Sequence, residues 1–298
     1  VPAIILHDNG RNRLLVERGR LKPNLGPVYC RMLERQVLDR RGASRPDVAL
    51  PSNLDLVLCS TRQTKQYTER VLDTLGVTGY HVLGRHVSEW KHILKIQLIL
   101  EHIERCPTPE ILMHLDATDV LVVGELRKAV IEYEKEPECE LFFGAEKGSA
   151  PGSATTKGIT TVERQFIEDI EDFEIGAYVQ PFRHLNAGCF IGRKTAIREL
   201  FERALQIRDE IPITSVLENG NHLAEDDQLL FRELHRQLHP RVRIDHQCRV
   251  FQNLFGVKRS ELAVEESISP GPAFLAELLK HLASVVLGRV RLPIRRRQ

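Results

Sequence analysis

The segment His114-Leu115-Asp116-Ala117-Thr118-Asp119-Val120 places two carboxylates three residues apart, directly after an apolar run. A chain leaving a strand through a tight turn aims both side chains into one cleft. Two unpaired carboxylates repel, and a divalent cation relieves the repulsion. Aspartate oxygens with water in the remaining positions suit Mg²⁺ or Mn²⁺, which then bridge to phosphate. The same pair equally suits a turn capped by Asp side chains. A second acidic group, Glu225-Asp226-Asp227, opens an apolar helix that continues through Leu229, Leu230 and Phe231. Acids there serve as caps and are favoured by the helix dipole. Capping says little about Gln228, whose amide both donates and accepts hydrogen bonds. Between His184 and Gly192, Asn186 and Gly188 interrupt a hydrophobic strand. Glycine there marks either a bulge or the close approach of a ligand. Ile244-Asp245-His246, then Arg249 to Leu254, sets polar side chains among apolar ones, a pattern that also fits an internal hydrogen-bond network.

The elements that must position these residues are legible from Leu54 onward. Leu54 to Cys59, Ile111 to Leu115 and Leu141 to Ala145 read as buried strands. Residues 65–75, 89–104, 125–133, 162–172, 194–208, 224–238 and 274–287 carry helical periodicity. Shorter apolar strands fall near 81–83, 120–123, 187–192 and 242–244. Buried strands alternating with amphipathic helices predict an α/β domain with a mostly parallel sheet. Ligands in such sheets bind beyond the carboxyl ends of the strands, where the acidic segments lie. Residues 1–50 form a basic extension, 51–260 the predicted catalytic domain, and 261–298 a helix with an Arg-rich tail. Residues 147–158 read as a Gly/Ser/Thr-rich loop.

Composition narrows the function classes. The 298 residues carry a formal net charge of +1, with 42% apolar and 28% charged residues. That excludes a disordered chain and a collagen-like chain, and it argues against a bulk polycation coating nucleic acid. No run approaches the roughly 18 apolar residues of a membrane helix, and Val1 to Leu6 is too short for a signal-peptide core. The expected location is cytoplasmic. The charge is unevenly placed. Residues 1–50 and 281–298 each sum to +5, leaving −9 for 51–280. The six cysteines form no C-x-x-C pair, so reduced, structural thiols are expected.

Taken in order, these blocks resemble the GT-A glycosyltransferase domain of procollagen lysyl hydroxylases and related collagen glucosyl- and galactosyltransferases. The resemblance runs from about Leu54 to Gly256. It rests on the strand ending at Ser60-Thr61, Lys95, Asp116-Ala117-Thr118-Asp119, Phe143-Gly144-Ala145-Glu146 followed by Pro151, and Leu185-Asn186-Ala187-Gly188. Asp226-Asp227-Gln228, then Asp245-His246 and Phe251-Gln252-Asn253-Leu254, complete it. It implies transfer of glucose or galactose from a UDP-sugar to a hydroxyl, assisted by Mn²⁺ or Mg²⁺ held by Asp116 and Asp119. Ser60, Thr61, Lys95, Asn186, Gly188, Gln228 and Asp245 would contact the donor, with Asp116 doing so through the ion. Asp226 and Asp227 would be catalytic. The family closes its metal site with a His in a His-Gly-Asn-Gly-Pro segment. The corresponding Ile268-Ser269-Pro270-Gly271-Pro272 here has none, leaving His281, His246 or water for that position. The acceptor could be a protein hydroxyl, a glycan, or a hydroxymethylated DNA base reached through the basic ends, especially Arg289, Arg291 and Arg295 to Arg297. Two other readings use the same residues: a metal-dependent phosphoryl-transfer enzyme or nuclease, and a non-catalytic nucleotide-sugar binder.

Overall fold

The computed structural model describes residues 5–7, 14–17, 20–23, 49–147, 181–211, 223–257 and 261–262. The loop expected at 147–158 therefore lies outside the described residues from 148 on. So do the helices expected at 162–172 and 274–287, together with Pro151, the 268–272 segment, His281 and the Arg tail.

The sheet is built on β4 (Leu54–Cys59), whose six residues are all buried. It pairs in parallel with β5 (His81–Leu83) on one side and β6 (Ile111–Asp116) on the other. Next to β6 comes β9 (His184–Arg193), antiparallel, and then β8 (Leu141–Glu146). The far edge of β8 is shared. β10 (Val242–Ile244) pairs in parallel with residues 141–143, and β11 (Phe251–Asn253) with Ala145. Beyond β11 lie β1 (Ile5–His7), parallel, and β7 (Val120–Val122), antiparallel. The result is a nine-stranded mixed sheet, the α/β class expected of a GT-A-like domain, with β9 and β7 reversed. Ile5–His7 thus completes the main sheet. β2 (Leu14–Glu17) and β3 (Arg20–Pro23) form a separate hairpin.

Period-two alternation divides the core. Leu54, Leu56 and Leu58 of β4 and Ile111, Met113 and Leu115 of β6 face one layer, with α1 (Tyr67–Leu75) and α3 (Leu126–Glu134). Val57 and Cys59 of β4 and Leu112 of β6 face the other, with α2 (Leu94–Arg105), α4 (Lys194–Glu210) and α5 (Asp227–Leu238). A strand buried on both faces needs a continuous apolar run. The exceptions on the second face are therefore informative: Asp55 and His114 alternate with those apolar residues and point into the α2 layer.

Helix α2 starts later than its periodicity suggests. Residues 89–91 are irregular and 92–93 form a turn instead, because Ile93 N–H donates to the carbonyl of Glu225 (3.1 Å). That bond docks the segment on a 3₁₀ turn, Leu223–Glu225, which precedes α5. Of the six cysteines, the five among the described residues, Cys59, Cys106, Cys139, Cys189 and Cys248, are free thiols, as expected.

Candidate functional site

The carboxyl ends of β4, β6 and β8 and the N-terminal end of the reversed β9 meet the N-terminal ends of α1, α2 and α5. Ser60 follows β4, and its N–H donates to Leu83 O (2.8 Å), while its Oγ accepts from Arg62 N–H (3.2 Å). The side of this turn is tight, since Gly84 has φ +88° and a Cβ there would fall 2.7 Å from Leu98 Cδ1. Thr61 beside it is half-buried.

Asp116 ends β6, and residues 117–119 turn into β7. Thr68 of α1 locks that turn. Its hydroxyl donates to Asp116 O (2.6 Å) and accepts from Val120 N–H (3.1 Å), while its own N–H donates to Ala117 O (3.0 Å). The Asp116 side chain remains 31% exposed, and Asp119, half-buried, accepts from Thr118 Oγ1 (3.2 Å). Both carboxylates therefore leave one braced turn, and their oxygens suit a hard divalent ion in type. Asp116 also meets His114 Nε2 at 3.4 Å. Burial lowers the His114 pKa, working against the Asp116 carboxylate that pulls it up.

Lys95, in the first turn of α2, supplies a cation to this end. It is 3% exposed. Its Nζ lies 2.7 Å from Asp227 Oδ2 and 3.4 Å from Asp116 Oδ1, and donates to Ala187 O (3.0 Å). Burial alone would push its pKa down, but the two carboxylates overcome that and the net shift is upward. Lys95 is thus an ammonium joining two of the expected site acids. An ion taking Asp116 would have to share it with Lys95.

The polar groups of β9 are bound to one another. Gln228 Oε1 accepts from Ala187 N–H (3.0 Å) and its Nε2 donates to Glu146 Oε1 (2.8 Å). Asn186 Nδ2 donates to Glu146 Oε2 (3.2 Å), and Asn186 Oδ1 accepts from Gly188 N–H (3.0 Å). Ala187 is held through both its N–H and its carbonyl. Glu146, 1% exposed, organises this network. The expected strand stops at Ala145, and the resemblance gives Glu146 no role of its own. Its signal was a carboxylate ending the otherwise apolar run Leu141–Ala145. The register shift between Phe143 and Gly144 in the β8–β9 pairing lies beside it.

The two aspartates before α5 separate into different environments. Asp227 is buried against Lys95, with His92 Nδ1 at 3.9 Å. Asp226 caps α5 by accepting from Leu229 N–H (3.0 Å). It also lines a cleft of about 200 Å³ with Glu89, Trp90, Lys91, His92 and Glu225. Burial, then the neighbouring Asp227 charge, raises its pKa. The late start of α2 is what frees residues 89–92 to wall this cleft.

Asp245 sits elsewhere in role. It is 1% exposed and accepts from three backbone N–H groups, those of Arg249 (2.9 Å), Val250 (2.6 Å) and Phe251 (2.9 Å). These bonds shape the β10–β11 loop. His246 Nδ1 meets Phe182 O at 2.9 Å.

Among the described residues, one group of three side chains brings metal-ligating atoms within 4.8 Å of one another: Asp55, His81 and His102. This group could hold a metal ion. Asp116 and Asp119 belong to no such group of three. Among the described residues no helix is long and apolar enough to cross a membrane.

No protein-family model matches the chain, and no curated protein matches it. Among solved structures, it is similar to a glycosyltransferase involved in the glycosylation of the major capsid of PBCV-1. That alignment has 15% identity and a TM-score of 0.38, covering 64% of this chain and 81% of the other.

Proposed function

We propose that this protein is a glycosyltransferase that moves a hexose from a UDP-sugar to an acceptor hydroxyl. The observation that carries this reading is the clustering of Asp116, Lys95 and Asp227 at the carboxyl ends of parallel strands, beside the cleft lined by Asp226. Open α/β sheets bind ligands at that edge. A leaving diphosphate needs positive charge as the bond to the anomeric carbon breaks. Lys95 is the buried cation at hand, and Asp116 and Asp119 would hold Mn²⁺ or Mg²⁺. The ion would supply further stabilisation of that leaving group.

Asp226 is the group suited to take the acceptor proton, because it borders the cleft and its raised pKa brings it closer to neutrality. The acceptor oxygen bonds to the anomeric carbon as the UDP oxygen leaves with the bonding electrons. Asp227, paired with Lys95, positions that ammonium. Ser60 and Thr61 stand where a nucleoside would lie beyond β4. Glu146, Asn186 and Gln228 hold the backbone of residues 187–188 as one wall.

The test is release of UDP from UDP-glucose and UDP-galactose with Mn²⁺ present. Asp116→Ala should abolish release, and Asp226→Asn should lower kcat about 10²- to 10⁴-fold. The Asn variant keeps an N-cap, so its fold should persist. Absence of both UDP binding and UDP release in the wild type would refute the reading. The acceptor hydroxyl would belong to a protein side chain, a glycan or a hydroxymethylated DNA base, the last contacted through the basic ends. Sugar transfer that is equal with hydroxymethylated and plain DNA would refute the DNA acceptor.

A further inference from the structure

Two charged clusters lie under one face of α2. Lys95 is in its first turn and His102 in its last, and seven residues at 1.5 Å rise separate them by about 10 Å along the axis. The first belongs to the site above. The second lies at the opposite end of β4, around Asp55, and the glycosyl-transfer reading makes no use of it.

Asp55 is the one acid within the buried β4 run, and it is 4% exposed. Two imidazoles converge on it. His102 Nε2 lies 2.8 Å from Oδ2, and His81 Nε2 lies 3.8 Å from Oδ1. The rings pack together with centroids 4.8 Å apart. They come from different elements, α2 and the edge strand β5. Behind the carboxylate stands Lys194 of α4, whose Nζ lies 2.5 Å from Oδ2 and donates to Cys106 O (2.5 Å). His102 is buried, whereas the His81 side chain is 49% exposed.

We propose that Asp55, His81 and His102 form a binding site for a borderline transition-metal ion of the Zn²⁺ type, separate from the donor site. Ligands about 2.0–2.1 Å from a tetrahedral ion stand roughly 3.3 Å apart. His81 Nε2 and Asp55 Oδ1 stand 3.8 Å apart, and one ligand atom from each of the three residues lies within 4.8 Å of the others, so small side-chain shifts would admit the ion. Two imidazoles with one carboxylate favour Zn²⁺ or Co²⁺ over Mg²⁺ or Ca²⁺, which take oxygen shells. The ion would take Oδ1 and both Nε2 atoms. Oδ2 would keep its bond to Lys194, the outer hydrogen bond that fixes a ligating carboxylate. Access is from the exposed His81 side, which leaves a fourth position to water. The bound ion would clamp edge strand β5 and helix α2 to the centre of the sheet.

The test uses the full chain stripped with chelator, then titrated with Zn²⁺ or Co²⁺ alone. The expected result is one tight site per chain and a rise in Tm with Zn²⁺. With Co²⁺, the intense visible bands of a four-coordinate site should appear. His81→Ala, at a half-exposed position, should fold and lose at least about 100-fold in affinity, more than the 10- to 100-fold typical of outer-shell changes. His102→Gln should behave alike, and should be compared at matched far-ultraviolet circular dichroism. Asp116→Ala with Asp119→Ala should leave the site intact. Absence of a tight site in the wild type would overturn the proposal. Tight binding unchanged in His81→Ala, or abolished only in the Asp116/Asp119 variant, would overturn it as well.

Discussion

Lys95 shows how much of this site depends on one charge. Its ammonium is the partner of Asp227 and a neighbour of Asp116, and both Lys95 and Asp227 are buried from water. Lys95→Met should leave like charges facing one another. The expected loss is about 3–5 kcal/mol, the scale for breaking a buried pair, read by denaturant unfolding. Adding Asp227→Asn should restore a large part of it, and a double-mutant cycle checks the coupling. The sequence named Lys95, Asp116 and Asp227 separately as site residues. It did not show that they touch, because 111 residues separate Asp116 from Asp227 along the chain and only packing of α2 against the α5 entrance joins them. Asp226 and Asp227 were indistinguishable by pattern. Their separation into a cleft-lining acid and a lysine partner came from the turn of chain that places one outward and one inward.

At the scale of elements, α1 braces the turn between Asp116 and Asp119 through a single buried hydroxyl. Thr68 is fully buried and bridges Asp116 O and Val120 N–H across the turn. Thr68→Val keeps the shape and removes the hydroxyl. It should cost about 1–3 kcal/mol, because a buried peptide donor and acceptor lose their partner. In the proposed enzyme it should also lower kcat/KM for UDP release, while Thr68→Ser retains both properties. The helix is well placed to bear this function. Gln66 N–H donates to Glu69 Oε1 (2.9 Å) at its start, and Gly76 closes its end at φ +78°. Both signals are local, which is why the helix was readable. Residues 89–93 were misread as helix because their apolar spacing continues that of α2. The competing bond from Ile93 N–H to Glu225 O comes from a residue 132 positions away, which no local window contains.

For the whole molecule, the acid limb of stability provides a global test. Burial would raise the Asp55 pKa, but the hydrogen bonds from His102 and Lys194 more than offset it and hold the carboxyl below its usual 3.8. A group depressed in the folded state stabilises above its unfolded pKa and loses that contribution as pH falls through the folded value. Acid unfolding of the wild type should therefore steepen below about pH 4. Asp55→Asn should be less stable at pH 7 and should show a flatter dependence below pH 4, followed by urea unfolding across pH. The sequence by itself determined the α/β class, the strands from Leu54 onward except Phe251–Asn253, five of the helices and the acidic turn after β6. Each is written in short-range periodicity or local turn chemistry. Tertiary structure alone decided the rest. It inserted Ile5–His7 between β11 and β7, gathered Glu146, Asn186 and Gln228 around the backbone of Ala187, and turned Asp245 into a loop anchor. It also brought Asp55, His81 and His102 together. Strand order and buried polar partnerships join residues far apart in the chain. Their free energy comes from desolvation and hydrogen bonding that exist only once the sheet and its two helix layers have closed.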